Sequence, residues 1–97
     1  MIISFRSRTT QDIYDGIASQ KARKIPPVLW RIAQRKMDML NAAVTLVDLK
    51  IPPGNHLESL KGNLRGKYSI RINDQYRLIF GFKDGNAYDV EISDYHT

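Results

Sequence analysis

The chain of 97 residues contains no cysteine, which excludes disulfide staples, thiolate metal sites and cysteine nucleophiles together. Its two histidines, His56 and His96, are far apart in sequence and follow no ligand spacing, so no metal is expected. No apolar run approaches the roughly 18 residues that a membrane-spanning helix needs. Gly62 and Gly66 do not form a phosphate-cradling loop pattern, and neither an internal repeat nor a low-complexity stretch is present. The opening Met-Ile-Ile-Ser-Phe-Arg lacks a basic segment followed by an apolar one, the mark of a secretion signal. The expectation is a soluble, cytoplasmic protein, with no membrane contact and no cofactor. The length supports one domain over residues 1–97, because two cores would each be marginal.

What the chain does have is basic charge: fifteen Lys and Arg against ten Asp and Glu, a formal net charge of +5 and a pI near 9.7. A small basic domain points to a polyanionic partner, nucleic acid first. The excess is local. Lys21, Arg23, Lys24, Arg31, Arg35 and Lys36 fall in one segment without an acid, and Lys61, Arg65, Lys67, Arg71 and Arg77 in another with only Asp74. From Asp84 to Asp94 the charges are all acidic.

Residues 2–5 are short, apolar and β-prone, and suit a strand. Thr9 and Thr10 read as the N-cap of a short helix carrying Ile13, Ile17 and Ala18, weakened by Gly16, and residues 20–24 as a loop. Pro26 and Pro27 start a second helix to about Leu40, with Leu29, Ile32, Ala33, Met37 and Leu40 on one stripe. Residues 42–49 suit a bent or separate helical turn, ended by the breaker Ile51-Pro-Pro-Gly-Asn. The period then changes to two. Tyr68–Ile72 alternates, Asn73-Asp74 marks a turn, Tyr76, Leu78, Phe80 and Phe82 share a face, and Asp84-Gly85 signals a hairpin before Val90 and Ile92. The expected class is α+β. The N-terminal strand joins a mostly antiparallel twisted sheet ending in a three-strand meander, with two to three helices on one face.

Alternation sets Arg71 and Arg77 on the face that the helices leave uncovered. Asp94, Tyr95 and His96 end the last strand, and His56, Glu58 and Lys61 precede the meander. A basic face bordered by such groups suits a phosphodiester site, where cations stabilise phosphorane charge and neutral groups move protons. The plainer reading has both arginines as solvated strand charges paired with Glu91 or Asp89, and Lys21 to Lys36 as a wet helix surface.

Three ordered blocks favour the first reading: Asn55-His-Leu-Glu-Ser-Leu-Lys-Gly-Asn, Ser69-Ile-Arg-Ile-Asn-Asp-Gln-Tyr-Arg-Leu-Ile-Phe, and Asp89-Val-Glu-Ile-Ser-Asp-Tyr-His. With Asp48-Leu-Lys-Ile-Pro-Pro-Gly-Asn before them, the chain resembles the HigB or plasmid-maintenance killer toxins of the RelE/ParE superfamily from residue 2 to 96. The resemblance implies a RelE-like fold and the toxin of a type II pair, which cleaves mRNA on the translating ribosome. It also implies neutralisation by a HigA-type helix-turn-helix antitoxin, with operator DNA reached only through that antitoxin. In such toxins the RNA 2′-OH attacks its adjacent phosphate without a metal, leaving a 2′,3′-cyclic phosphate and a 5′-OH. By position, Arg77 would stabilise the transition state, Lys61 would assist or hold the RNA backbone, and Asp94, Tyr95 and His96 would form the terminal catalytic group.

The chain departs from that pattern at one point. Glu58 stands where some ribosome-dependent relatives carry a histidine three residues before the lysine. His56 lies two residues earlier, about 7 Å away on the same face of an extended segment. Either Glu58 or His56 could transfer the proton. Two other functions share these features: a ParE-like protein that inhibits DNA gyrase by contact, and a basic RNA- or ribosome-binding module without catalysis. In the nuclease reading, Lys21, Arg23, Lys24, Arg31, Arg35, Lys36, Arg65, Lys67 and Arg71 are the expected contacts to RNA and ribosome backbone phosphates. The nuclease reading predicts that Arg77→Ala with His96→Ala abolishes toxicity in a protein that still folds, since both are expected at the surface. Growth inhibition retained by the folded double variant would count against it.

Overall fold

In the computed structural model, which describes residues 1–94, four antiparallel strands lie in chain order β1 (Glu58–Ser59), β2 (Tyr68–Arg71), β3 (Tyr76–Lys83) and β4 (Asn86–Asp94). Helices α1 (Arg8–Asp15) and α2 (Trp30–Ala42) and the single turn α3 (Val47–Lys50) supply the second layer. The core lies between the layers, where Ile13, Ala33, Met37, Leu40 and Leu49 meet Ile70, Leu78, Phe80, Val90 and Ile92. The strand alternation and the stripe on α2 therefore point into one interior, as their periods of two and about 3.6 require.

Local chemistry fixes the boundaries. The N-cap of α1 is Ser7, whose hydroxyl accepts from the Thr10 amide at 3.2 Å; the cap lies ahead of the expected Thr9 and Thr10, which fall inside the helix. Gly16 ends the helix instead of weakening its interior. Its φ of 76° is left-handed, and the Ile17 amide bonds back to Asp12 at 2.8 Å, so Ile17 leaves the helix and is half exposed. The loop before α2 contains a 3-10 turn at Ala22–Lys24 that buries Ala22, and a second turn at Pro27–Leu29 leads into α2. Asp48, in the first turn of α3, accepts from the Val44 and Thr45 amides at 2.9 and 3.1 Å. These bonds hold its carboxyl below the usual carboxylate range.

The Asp84-Gly85 turn has φ values of 53° and 77°, as a two-residue hairpin requires. The N-terminal segment joins the far edge of the sheet parallel to β4, bridging Ile2 to Ala87 and Phe5 to Val90. It is not a continuous ladder. Between those bridges β4 bulges at Asp89 (φ 53°), whose amide donates to the Ser4 hydroxyl at 2.9 Å. The two-residue strand β1 was not apparent from periodicity, being too short to show any.

Thr10 joins the layers. It is fully buried, and its hydroxyl accepts from the Ile92 amide of β4 at 2.9 Å. Thr10→Val keeps the shape and leaves that amide without its acceptor, so it is expected to cost about 1–3 kcal/mol. Urea unfolding checks this, and an unchanged midpoint would remove Thr10 from the tie between α1 and β4.

Candidate active site

The ladder register sets the face opposite the helices. Glu58, Ser69, Ile79 and Glu91 form one row across the sheet, and Arg71, Arg77 and Ser93 the next. Both arginines thus occupy the expected face, and they are directly opposite each other on β2 and β3. Their surroundings differ from the expectation. Arg71 is partly exposed and pairs with Asp74 three residues on, while Glu91 pairs with Arg6 at 3.8 Å. Neither arginine forms an ion pair with Glu91 or Asp89.

Arg77 is not a surface residue: it is 8% exposed. A guanidinium withdrawn from water needs fixed acceptors. Here Nε donates to the Ser69 hydroxyl at 2.8 Å and Nη2 to the His56 carbonyl at 2.6 Å, with Nη1 3.9 Å from a Glu58 carboxylate oxygen. Ser69 is itself fully buried, so its hydroxyl has an acceptor role fixed by the protein and not by solvent. The expectation that Arg77→Ala would be a harmless surface change therefore fails. Removing the side chain leaves the Ser69 and His56 oxygens without this donor.

His56 and Glu58 reach Arg77 in different ways. The segment is not extended at His56, which has φ 45° and ψ 56°, so the same-face argument from an extended chain does not hold there. His56 contributes its backbone carbonyl to the guanidinium. Glu58, in β1, contributes its carboxylate, which stays about half exposed. Lys61 is exposed at the entry to a 3-10 turn over Gly62–Leu64. Asp94 pairs in register with Tyr76, so alternation assigns it to the helix side, and its carboxylate accepts from the Gln75 side-chain Nε2 at 3.1 Å. Tyr95 and His96 lie outside the described residues.

The cationic candidates divide between layers. Lys21, Arg23 and Lys24 are exposed around the Ala22–Lys24 turn, and Arg31 and Arg35 are exposed on α2. Arg65 is exposed, and Lys67 is half buried before β2. Lys36 differs from its neighbours on α2: it donates to the side chain of Asn55, and burial lowers its pKa from the ordinary lysine value, helped by Arg35. Asn55 is fully buried, and its amide donates to the Leu49 carbonyl at 3.1 Å. Sequence reasoning passed over Asn55 and Ser69 because they stand in turn-like and alternating contexts where polar residues are ordinary. Their presence within two of the three blocks was the available signal. A groove of about 360 Å³ lined by Leu46, Val47, Lys50, Leu57, Ser59 and Tyr68 does not include Arg77. Its strand residues Ser59 and Tyr68 are register partners on the helix side.

The fold is shared with solved toxin structures. The YoeB–YefM toxin–antitoxin complex from Staphylococcus aureus aligns with a TM-score of 0.60 at 18% identity, covering 100% of this chain and 99% of that one. The YoeB dimer from the same organism aligns at 0.57 and 21% identity, covering 99% and 95%. Sequence carries the comparison further. Residues 3–96 match the family model described as "RelE-like toxin of type II toxin-antitoxin system HigB". Toxin HigB-1 of Vibrio cholerae serotype O1 is 42% identical over 87 residues, 90% of each chain. A Haemophilus influenzae protein described as uncharacterized is 44% identical over 64 residues, 66% of this chain and 63% of its own. Fold and sequence together define a type II toxin of RelE-like architecture. Within that class, the chain belongs to the HigB-like toxin family.

The geometry around Arg77 is testable in stability. Ser69→Ala removes the acceptor of Nε and is expected to destabilise by about 1.5–3 kcal/mol, the range for a hydrogen bond to a charged group. Ser93→Ala, on the same face of β4, is expected to cost less than about 0.5 kcal/mol. Equal urea midpoints for the two variants would contradict the assigned role of Ser69.

Proposed function

We propose that the protein is an endoribonuclease that cleaves mRNA on the translating ribosome and so stops translation and growth. The observation that carries this reading is the Arg77 guanidinium, fixed by Ser69 and the His56 carbonyl beside the exposed carboxylate of Glu58. A cation held by protein acceptors need not reorganise as charge develops on a phosphate, which is the basis of electrostatic catalysis. In the proposed reaction the ribose 2′-OH attacks the adjacent phosphorus. The P–O5′ bond breaks, giving a 2′,3′-cyclic phosphate and a 5′-OH, and the nucleophile is internal to the RNA. Arg77 stabilises the phosphorane, and Lys61 holds or assists the backbone. Of the two candidate bases, Glu58 is the one whose side chain is placed beside the guanidinium, at 3.9 Å. Tyr95 and His96 supply the remaining proton transfer and substrate contact, while Asp94, on the helix side and bonded to Gln75, can only support that terminal group.

The partners that follow are a HigA-type helix-turn-helix antitoxin, the ribosome and its message, with cytoplasmic action where translation occurs. Operator DNA is reached through the antitoxin. The exposed cations Lys21, Arg23, Lys24, Arg31, Arg35 and Arg65 supply salt-dependent attraction to ribosomal RNA, joined by Lys36, Lys67 and Arg71 at their edges. One observation favours the ParE-like alternative: the donors of Arg77 serve the protein's own oxygens, as a purely structural arginine would.

Mapping RNA 5′ ends after induced expression, with and without translation of the message, separates the two. Cleaved transcripts that depend on translation are expected. Growth arrest with intact RNA and inhibited gyrase would favour the alternative. Arg77→Lys keeps the charge but cannot span the Ser69 and His56 oxygens as a planar fork does. It is expected to lower cleavage about 10²-fold or more, in the range for one lost transition-state donor.

A further inference from the structure

We infer that Asn55, held by Lys36, is a positioning residue for Arg77: it fixes the backbone turn whose carbonyl aims the guanidinium. The inference rests on the nuclease reading and adds to it a connection from the helix layer to the opposite face of the sheet. Asn55 is fully buried and both ends of its side chain are engaged. Its Oδ1 accepts from the Lys36 ammonium on α2, while Nδ2 donates to the Leu49 carbonyl of α3 at 3.1 Å and meets the Met39 sulfur at 3.0 Å. Its backbone amide closes the turn on Pro52 at 3.0 Å. The next residue, His56, takes a left-handed conformation, which is unfavourable for a non-glycine residue and persists only where surroundings impose it. Only a few backbone torsions separate the anchored Asn55 from the His56 carbonyl, which accepts from Arg77 Nη2 at 2.6 Å.

Two features distinguish this from ordinary loop packing. Lys36 gives up solvent to make the contact, as its lowered pKa reflects, although exposed positions are plentiful on the same helix. The strained residue also presents its carbonyl to the most deeply placed cation of the opposite face. If Asn55 loosens, His56 can relax toward an ordinary conformation and its carbonyl turns away. Arg77 then keeps Ser69 and Glu58 but loses the acceptor that fixes the guanidinium plane.

The test uses the full-length toxin and single-turnover cleavage of a ribosome-bound message. Asn55→Ala and the milder Lys36→Met are expected to slow cleavage about ten- to a hundredfold, the effect of a small misplacement of a reacting group. For Asn55→Ala the ribosome concentration for half-maximal rate should stay within about twofold, since the buried Asn55 is not among the docking cations. Val90→Ala, in the core on β4, provides a destabilised control that keeps its cleavage rate per folded molecule. In parallel, the Arg77 Nε–H resonance in a nitrogen–proton spectrum should shift in Asn55→Ala and Lys36→Met but not in Val90→Ala. Rates and resonances that follow Val90→Ala overturn the inference. If the wild type leaves the ribosome-bound message intact, the nuclease reading fails and the inference with it; if Arg77→Lys cleaves as fast as the wild type, the role of Arg77 fails and the inference with it. If Arg77→Lys is inactive while Asn55→Ala and Lys36→Met are fully active, only the positioning role fails.

Discussion

Removing a guanidinium from water costs several kcal/mol unless the protein returns fixed acceptors, and that requirement at Arg77 organises one end of this molecule. The acceptors come from three places in the chain: the Ser69 side chain on β2, the His56 carbonyl after the breaker, and the Glu58 carboxylate on β1. None is adjacent to Arg77 in sequence. The two-residue strand β1, the turn at Pro53–Asn55 and the register of β2 on β3 must therefore all form before the charge is satisfied. The breaker Ile51-Pro-Pro-Gly-Asn does more than end a helix, because it delivers a carbonyl that no regular strand would aim there.

The helix layer supports the same point from the other side. α2 buries its apolar stripe on the sheet and sends Lys36 toward Asn55, while α3 offers a carbonyl to the same amide. Packing and polar satisfaction are coupled here, since the fully buried Asn55 would be costly without both partners. At the opposite sheet edge the N-terminal segment is held by Ala87 and Val90 and by Asn41, which accepts from the Ile2 amide at 2.9 Å. The edge is thereby covered instead of left as a free template.

Much of this fold was legible because its signals are periodic and local. The stripe on α2, the alternation through Tyr76, Leu78, Phe80 and Phe82, and the Asp84-Gly85 turn each follow from residues close in sequence. The sheet face carrying Arg71 and Arg77 was legible for the same reason. The depth of Arg77 was not, since it depends on Ser69 and His56, which join it only through register and a left-handed turn. Ser7 displaced the threonines as cap because Thr10 is needed inside, against Ile92. The extended reading of residues 56–58 failed where a histidine adopts a conformation usually left to glycine or asparagine. Family resemblance marked the blocks containing these residues, but not the contacts between them.

The charge distribution gains a second meaning from the layers. Most of the surplus cations sit on the helix layer and loops, exposed and free to exchange counter-ions, whereas Arg71 and Arg77 are forced into direct opposition on the other face. Like charges opposite each other in a sheet are unfavourable. Asp74 offsets this at Arg71, and Glu58 at Arg77. A fold concerned only with stability would gain by replacing one of these arginines with a neutral β-former, as buried ion pairs are commonly no better than apolar packing. An anion approaching that face would relieve the opposition directly.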